Sequence, residues 1–143
     1  MIIPDTNLLL YTCNTTDPHH AQAKLWCERV MSGPEPVALL PAVIFGFVRI
    51  STHPKIFSLP FSVHEAQEHV LSWLALPHVR IVDVVREDIE SVLAILCDVG
   101  TAGNLTTDAQ IAAVAMRLDA TVHTADLDFA RFRGVKFLNP ILK

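Results

Sequence analysis

Hydrophobic and polar positions follow two alternating patterns along this chain, and together they predict strands separated by helices. Short apolar runs at residues 1–4, 37–40, 79–84, 120–124 and 135–138 are the strand candidates. Between these runs, apolar residues recur every three or four positions, which is typical of amphipathic helices. Strands separated by helical stretches of this length predict an α/β fold with a mainly parallel central sheet and helices on both faces.

Local signals place the predicted helices. Asp17 followed by Pro18 predicts an N-cap with Pro in the first helical position. Ser62 with Glu65 predicts a capping box, and Thr107 with Gln110 predicts a second one. Further helices are predicted over residues 41–50, where the apolar pattern also fits a strand, and over residues 89–99, which are followed by a glycine.

Composition indicates one soluble globular unit. A chain of 143 residues is the usual size of one domain, so we predict a single domain over residues 1–143. The hydrophobic fraction of 51% and the mean hydropathy of +0.38 exclude disorder and predict apolar surface for a partner, such as a second copy in a homodimer. The longest apolar stretch, residues 37–48, contains Pro41 and Gly46 and is too short to cross a bilayer. Since no signal-peptide pattern opens the chain either, we expect a cytoplasmic protein without membrane contact.

The charge balance points in two directions. A net charge of −4 is unfavourable for a nucleic-acid binder, because phosphates are bound mainly by Lys and Arg. After Asp128, however, the chain carries no acid but has basic residues at Arg131, Arg133, Lys136 and Lys143. These predict a local basic face, with Arg131 and Arg133 as candidate RNA contacts, although an ordinary solvated tail has the same composition.

Aspartates follow predicted strands or open a predicted helix. Asp5 follows the first strand, whereas Asp126 and Asp128 follow residues 120–124. Asp108 begins a helix on the side that its apolar residues share. In an open parallel sheet, ligands bind beyond the carboxyl ends of the strands, so these acids are expected to converge there. Each acid alone is also explained as a helix cap or a turn residue.

Converging carboxylates need a counter-charge. Like charges about 4 Å apart repel by roughly 4 kcal/mol at an effective dielectric near 20, so three pairs cost about 12 kcal/mol. That energy is comparable to the whole stability of a domain, about 5–15 kcal/mol. Protonation of one carboxyl relieves part of the repulsion, but a hard divalent cation offsets more of it, and the pattern therefore predicts Mg²⁺ or Mn²⁺.

Three segments resemble a known family. The segments are MIIPDTNLLLY at residues 1–11, GNLTTDA at residues 103–109 and TADLDF at residues 124–129. In order and spacing they are similar to the PIN-domain ribonucleases of VapC-type toxin–antitoxin systems. The resemblance implies a PIN-like three-layer α/β/α sandwich, dependence on Mg²⁺ or Mn²⁺, and inhibition by a cognate antitoxin. It also implies endonucleolytic cleavage of RNA by a metal-activated water.

The resemblance also implies roles for individual residues. Four catalytic acids would be Asp5, Asp108, Asp126 and Asp128. Asp5 and Asp108 would be the primary metal ligands, with Asp126 as the third acid of the metal pocket. Asn7 and Thr124 would orient carboxylates or the phosphate, although a helix cap and a strand-end hydroxyl are equally good explanations for them.

One position departs from the family pattern. Many PIN domains carry a Glu three residues before an Arg in the helix after the second strand, and here Gly46 stands at that position before Arg49. A subgroup of these toxins shares the Gly-Phe-x-Arg form. The missing acid leaves open whether one or two metal ions bind, and whether the chain is instead a catalytically weak PIN-fold module that binds RNA or a partner.

Two other classes of protein fit the sequence poorly. A haloacid-dehalogenase-type phosphatase also begins with Asp after a first strand, but it needs a second Asp where this chain has Asn7. A receiver-type domain places its key Asp after a middle strand and pairs it with a late Lys, and neither requirement fits this chain.

Overall fold

The computed structural model describes residues 1–142 and contains a five-stranded sheet with six α-helices. The strands are β1 (Ile2–Pro4), β2 (Val37–Leu39), β3 (Val79–Ile81), β4 (Thr121–His123) and β5 (Lys136–Leu138). The helices are α1 (Thr6–Cys13), α2 (His20–Ser32), α3 (Pro41–Ser51), α4 (Val63–Leu74), α5 (Arg86–Val99) and α6 (Leu105–Arg117). A 3₁₀ helix, Leu127–Arg131, lies between β4 and β5.

The sheet is parallel throughout and has the strand order β3-β2-β1-β4-β5. β1 is the central strand, paired with β2 on one side and with β4 on the other, where Ile2 lies opposite Thr121. The chain runs outward from β1 to β2 and β3, and it returns to the other side of β1 for β4 and β5. The order therefore reverses between β1 and β4, which is where a crevice forms at the carboxyl edge of such a sheet.

The helices pack in two groups around this sheet. α1 packs on both α2 and α3, and α3 packs on α4, whereas α5 packs on α6. All three residues of β1 and of β2 are buried, as expected for strands covered on both faces. This arrangement confirms the predicted α/β/α sandwich with a parallel sheet. Among residues 1–142, no helix combines the length and the apolar character that a bilayer span requires.

Helix starts were predicted with mixed success. The Ser62–Glu65 capping box is present, with the Ser62 hydroxyl accepting a hydrogen bond from the Glu65 N–H. The prediction at Asp17 was wrong by two residues, because Asp17 instead accepts from the N–H of His19 in a turn and α2 begins after it. The prediction at Thr107 was also wrong. α6 begins earlier, at Leu105, whose side chain is buried in the core.

An ion pair that the sequence pattern did not predict joins α5 to α6. The side chain of Asp88 is only 2% exposed, and both of its carboxylate oxygens accept from Nε of Arg117 at 3.0 Å. Oδ2 of Asp88 also accepts from the N–H of Val85. In contrast, Ile89 and Leu93, which marked this helix in the sequence, lie on its exposed face.

Candidate metal centre

The centre begins where β1 ends. Asp5 is 6% exposed and follows the central strand, and its N–H donates to the carbonyl of His123 at the end of β4. Its Oδ1 accepts from the N–H of Thr6 at 2.7 Å, so Asp5 is also the N-cap of α1. The backbone therefore fixes one carboxylate at the point where the strand order reverses.

A single buried hydroxyl connects this carboxylate to the segment after β4. Thr124, 1% exposed, donates from Oγ1 to Oδ2 of Asp5 at 2.8 Å. Oγ1 of Thr124 also accepts a hydrogen bond from the N–H of Asp126 at 2.9 Å. Asn7 bridges the same groups more loosely, with Nδ2 at 3.4 Å from both Oδ2 of Asp5 and Oγ1 of Thr124. These contacts hold the two chain segments in one arrangement.

Three further carboxylates converge next to Asp5. Asp108 in the first turn of α6, Asp126 and Asp128 each offer one carboxylate oxygen, and these three oxygens lie within 4.8 Å of one another. Oδ1 of Asp126 accepts from the N–H of Asp128 at 2.8 Å, which fixes the turn that carries both acids. We call Asp108, Asp126 and Asp128 the acid group. The acid group leaves out Asp5, which the sequence predicted as a primary metal ligand, and includes Asp128 instead. Asp5 is more deeply buried, and its charge acts on Asp108.

The electrostatics show that negative charge is crowded here. The pKa of Asp108 is raised from 3.8 to about 7, mainly by burial and then by the charges of Asp5, Asp126 and Asp128. The pKa of Asp5 is also raised, mainly by burial, against the lowering effect of its hydrogen bond from Thr124. An all-oxygen group of this kind, in which one member holds its proton to near neutral pH, fits a hard divalent cation such as Mg²⁺ or Mn²⁺.

The two predicted RNA contacts lie in different surroundings. Nη1 of Arg131 is 3.8 Å from Oδ1 of Asp128, so this guanidinium lies at the edge of the acid group. Nη2 of Arg133 is 3.8 Å from Oδ1 of Asp98 on α5, and its side chain is 89% exposed. Exposed pairs at this distance are weak, so either side chain can exchange its partner for a phosphate.

Sequence reasoning did not identify Tyr11 as part of this region. Its pKa is raised by burial and then by the charges of Asp17, Asp126 and Asp5, so its hydroxyl lies within electrostatic range of the centre. The available signal was its spacing, because Tyr11 follows Asn7 by four residues and therefore shares its face of α1.

Gly46 packs against the start of α1. A Cβ placed at Gly46 would lie 3.2 Å from Oγ1 of Thr6, which itself donates to the carbonyl of Val43. A larger residue there therefore displaces the Thr6 side chain by a few tenths of an ångström, directly beside Asp5.

Comparison with known proteins identifies the family of this chain. The family model described as PIN domain matches residues 2–135. The chain is 38% identical to ribonuclease VapC33 of Mycobacterium tuberculosis over 99% of both chains. It is also 35% identical to ribonuclease VapC37 of the same organism, over 98% of this chain and 97% of that one.

Solved structures show the same fold at lower sequence identity. VapBC2 from Rickettsia felis, bound to a DNA fragment from its promoter, matches with a TM-score of 0.70 at 18% identity, covering 97% of this chain and 98% of that one. VapC20 of Mycobacterium tuberculosis, a toxin that cleaves the sarcin-ricin loop, matches with a TM-score of 0.69 at 20% identity, covering 95% and 99%.

Proposed function

Since this chain belongs to the PIN-domain family, we propose that it is a metal-dependent endoribonuclease and the toxin of a type II toxin–antitoxin system. The observation that carries the proposal is the convergence of the acid group beside Asp5 at the carboxyl edge of the sheet. A chain that only binds a partner gains nothing from gathering carboxylates that repel one another. Its relatives VapC33 and VapC37 carry the name ribonuclease.

Asp108, Asp126 and Asp128 would hold Mg²⁺ or Mn²⁺, with Asp5 as a further ligand from the buried side. When bound, such an ion lowers the pKa of water and stabilises charge on a phosphodiester undergoing hydrolysis. No side chain needs to act as a nucleophile. The proton on Asp108 must leave before this carboxylate can bind a cation, because metal ligands bind in their deprotonated form.

Other side chains would position the reacting groups. Thr124 and Asn7 keep the Asp5 carboxylate oriented through the hydrogen bonds described above. Arg131 would contact a phosphate beside the acid group, and Arg133 would contact one farther along the RNA, each in place of its present loose ion pair. Charge-assisted hydrogen bonds from guanidinium to phosphate favour binding of the RNA backbone without reading its sequence.

We also propose that a cognate antitoxin binds the protein, that it forms a homodimer, and that it acts in the cytoplasm. Support comes from the matched VapBC2 and from the exposed apolar side chains of Ile89 and Leu93 on α5, which offer surface for a protein partner.

The competing proposal is a PIN-fold module that binds RNA or a partner without cleaving it, and Gly46 in place of a Glu is the observation that favours it. Purified protein incubated with a labelled structured RNA separates the two. We expect internal cleavage in Mg²⁺ or Mn²⁺, none with chelator, and little in Ca²⁺, whose looser shell positions water poorly. RNA that stays intact in every metal supports the binding module, and full cleavage in chelator rules out metal dependence.

We expect the free protein to bind one Mn²⁺ tightly and a second only weakly, because Gly46 supplies no carboxylate where many PIN domains have a Glu. Isothermal titration gives the stoichiometry. Gly46→Glu is expected to strengthen binding of the second ion, with Gly46→Gln as the uncharged control for the displacement of Thr6. Two equally tight sites in the unmodified protein contradict this expectation.

A further inference from the structure

An aromatic pair lies one helical turn beyond the residues that contact Asp5. Asn7 contacts Asp5 and Thr124, and Tyr11 follows it by one turn of α1, a rise of about 6 Å for four residues. The ring of Tyr11 stacks on the imidazole of His19, with centroids 4.7 Å apart and planes inclined by 25°. The pair therefore lies on the face of α1 that leads away from the metal centre.

The His19 side chain is held by Asp17 but is still half exposed to solvent. Oδ1 of Asp17 lies 2.8 Å from both the backbone nitrogen and Nδ1 of His19. The His19 side chain is nevertheless 50% exposed. A ring that is already oriented by its neighbours and still open to solvent loses little conformational entropy when another ring stacks on it.

The surrounding charge decides what can bind there. Asp17, Asp126 and Asp5 all act on the Tyr11 hydroxyl, so the neighbourhood of the pair is negative. A phosphate is repelled from such a place, whereas a flat uncharged ring is accepted. Nucleobases stack on aromatic side chains, each contributing about 1–3 kcal/mol by alanine substitution.

We propose that Tyr11 and His19 form a stacking platform for an unpaired nucleobase of the RNA whose phosphate lies at the acid group. The inference rests on the proposed function and extends it, because a platform of this kind requires single-stranded RNA near the cleaved bond. His19 presents the open face, and Tyr11 supports it from α1.

The test compares two short oligomers of equal length, a single-stranded oligoribonucleotide and its abasic counterpart, bound by the full protein in Ca²⁺ and measured by fluorescence anisotropy. His19→Ala is expected to weaken binding of the oligoribonucleotide at least about fivefold and to leave binding of the abasic oligomer unchanged. His19→Phe, which restores a ring, is expected to recover the affinity. His64→Ala is the matched control, because His64 is an exposed histidine that pairs with Glu68 on α4.

Three outcomes overturn the platform. The unmodified protein binds both oligomers with equal affinity, His19→Ala loses equal affinity for both oligomers, or His19→Ala loses no affinity for the oligoribonucleotide. Cleavage of the oligoribonucleotide in Mn²⁺ is scored separately. Base-dependent binding without cleavage removes the proposed nuclease and leaves the platform in place.

Discussion

Replacing Asp108 by Asn is expected to lower RNA cleavage at least about 100-fold, while the metal-free protein stays as stable as the unmodified protein or becomes more stable. The variant keeps the shape of the side chain but removes one charge from the acid group. Several kcal/mol of charge stabilisation depend on the cation, and each 1.36 kcal/mol changes the rate tenfold. Initial rates on a fluorogenic RNA measure the first effect, and thermal unfolding in chelator measures the second.

The stability of the metal-free protein should also depend on pH through the carboxyl of Asp108. Because the pKa of Asp108 is raised to about 7 in the folded protein, the folded state keeps a proton that the unfolded chain releases near 3.8. The stability of the metal-free protein should therefore fall as the pH rises from about 4 to about 7. Asp108→Asn should reduce this slope, leaving the smaller contribution of Asp5, whose pKa is raised in the same direction.

Asp119→Asn is the control for this variant. Asp119 is exposed and pairs with Lys136 at 2.7 Å, and its positive φ of 52° is one that Asn adopts readily. It should change neither the cleavage rate nor the pH slope. A loss of several degrees in melting temperature by metal-free Asp108→Asn at pH 8 would instead show that Asp108 is a structural residue.

Removing the guanidinium that pairs with Asp88 should strongly destabilise the fold. Arg117→Met leaves a carboxylate that is 2% exposed without its cation, and breaking a buried pair in this way costs about 3–5 kcal/mol. The Arg117 side chain is 33% exposed, so water replaces part of the lost interaction and we expect the lower end, about 3 kcal/mol. Urea titration measures the change in the free energy of unfolding.

A double variant separates charge from packing. Asp88→Asn combined with Arg117→Met removes both charges and keeps an acceptor for the Val85 N–H, so it should recover most of the lost stability. Arg133→Met is the matched single control, because Arg133 is 89% exposed and its pair with Asp98 contributes little. A double variant as unstable as Arg117→Met would show that the loss comes from packing of the arginine stem.

The parallel sheet could be predicted from the sequence because its strands are short apolar runs bounded by polar residues. α1 could not be predicted in the same way. Its residues continue the apolar character of β1, and the change from strand to helix is made by one side chain, that of Asp5, capping the N–H of Thr6. The false N-cap at Thr107 has a similar cause, since burial of Leu105 outweighed the local capping signal.

Asp5, Asp126 and Asp128 could be chosen from the sequence because they follow strands that end at the same edge. Asp108 could be chosen because it opens a helix on the side that the helix's apolar residues share. The relative positions of these acids could not be predicted. One contact that fixes them is local, the hydrogen bond from the Asp128 N–H to Asp126 within one turn. Another joins Thr124 to the buried Asp5, residues more than 100 positions apart in the sequence. His19 was missed because a ring contact between a helix and a loop leaves no periodic signal, whereas Tyr11 was missed although its four-residue spacing from Asn7 was available.

The central position of β1 also orders events during synthesis. β1 is synthesised first, but it pairs with β4 on one side only after β4 has been made. The hydrogen bond from Thr124 to Asp5 joins residues 119 positions apart. At roughly 5–20 residues per second, a ribosome needs about 6–24 s to make that interval. Until then the nascent chain carries Asp5 and Asp108 without the hydroxyl and the two carboxylates that complete the centre. A chain that stops before Thr124 therefore cannot assemble the acid group, and under the proposed function it is expected not to cleave RNA.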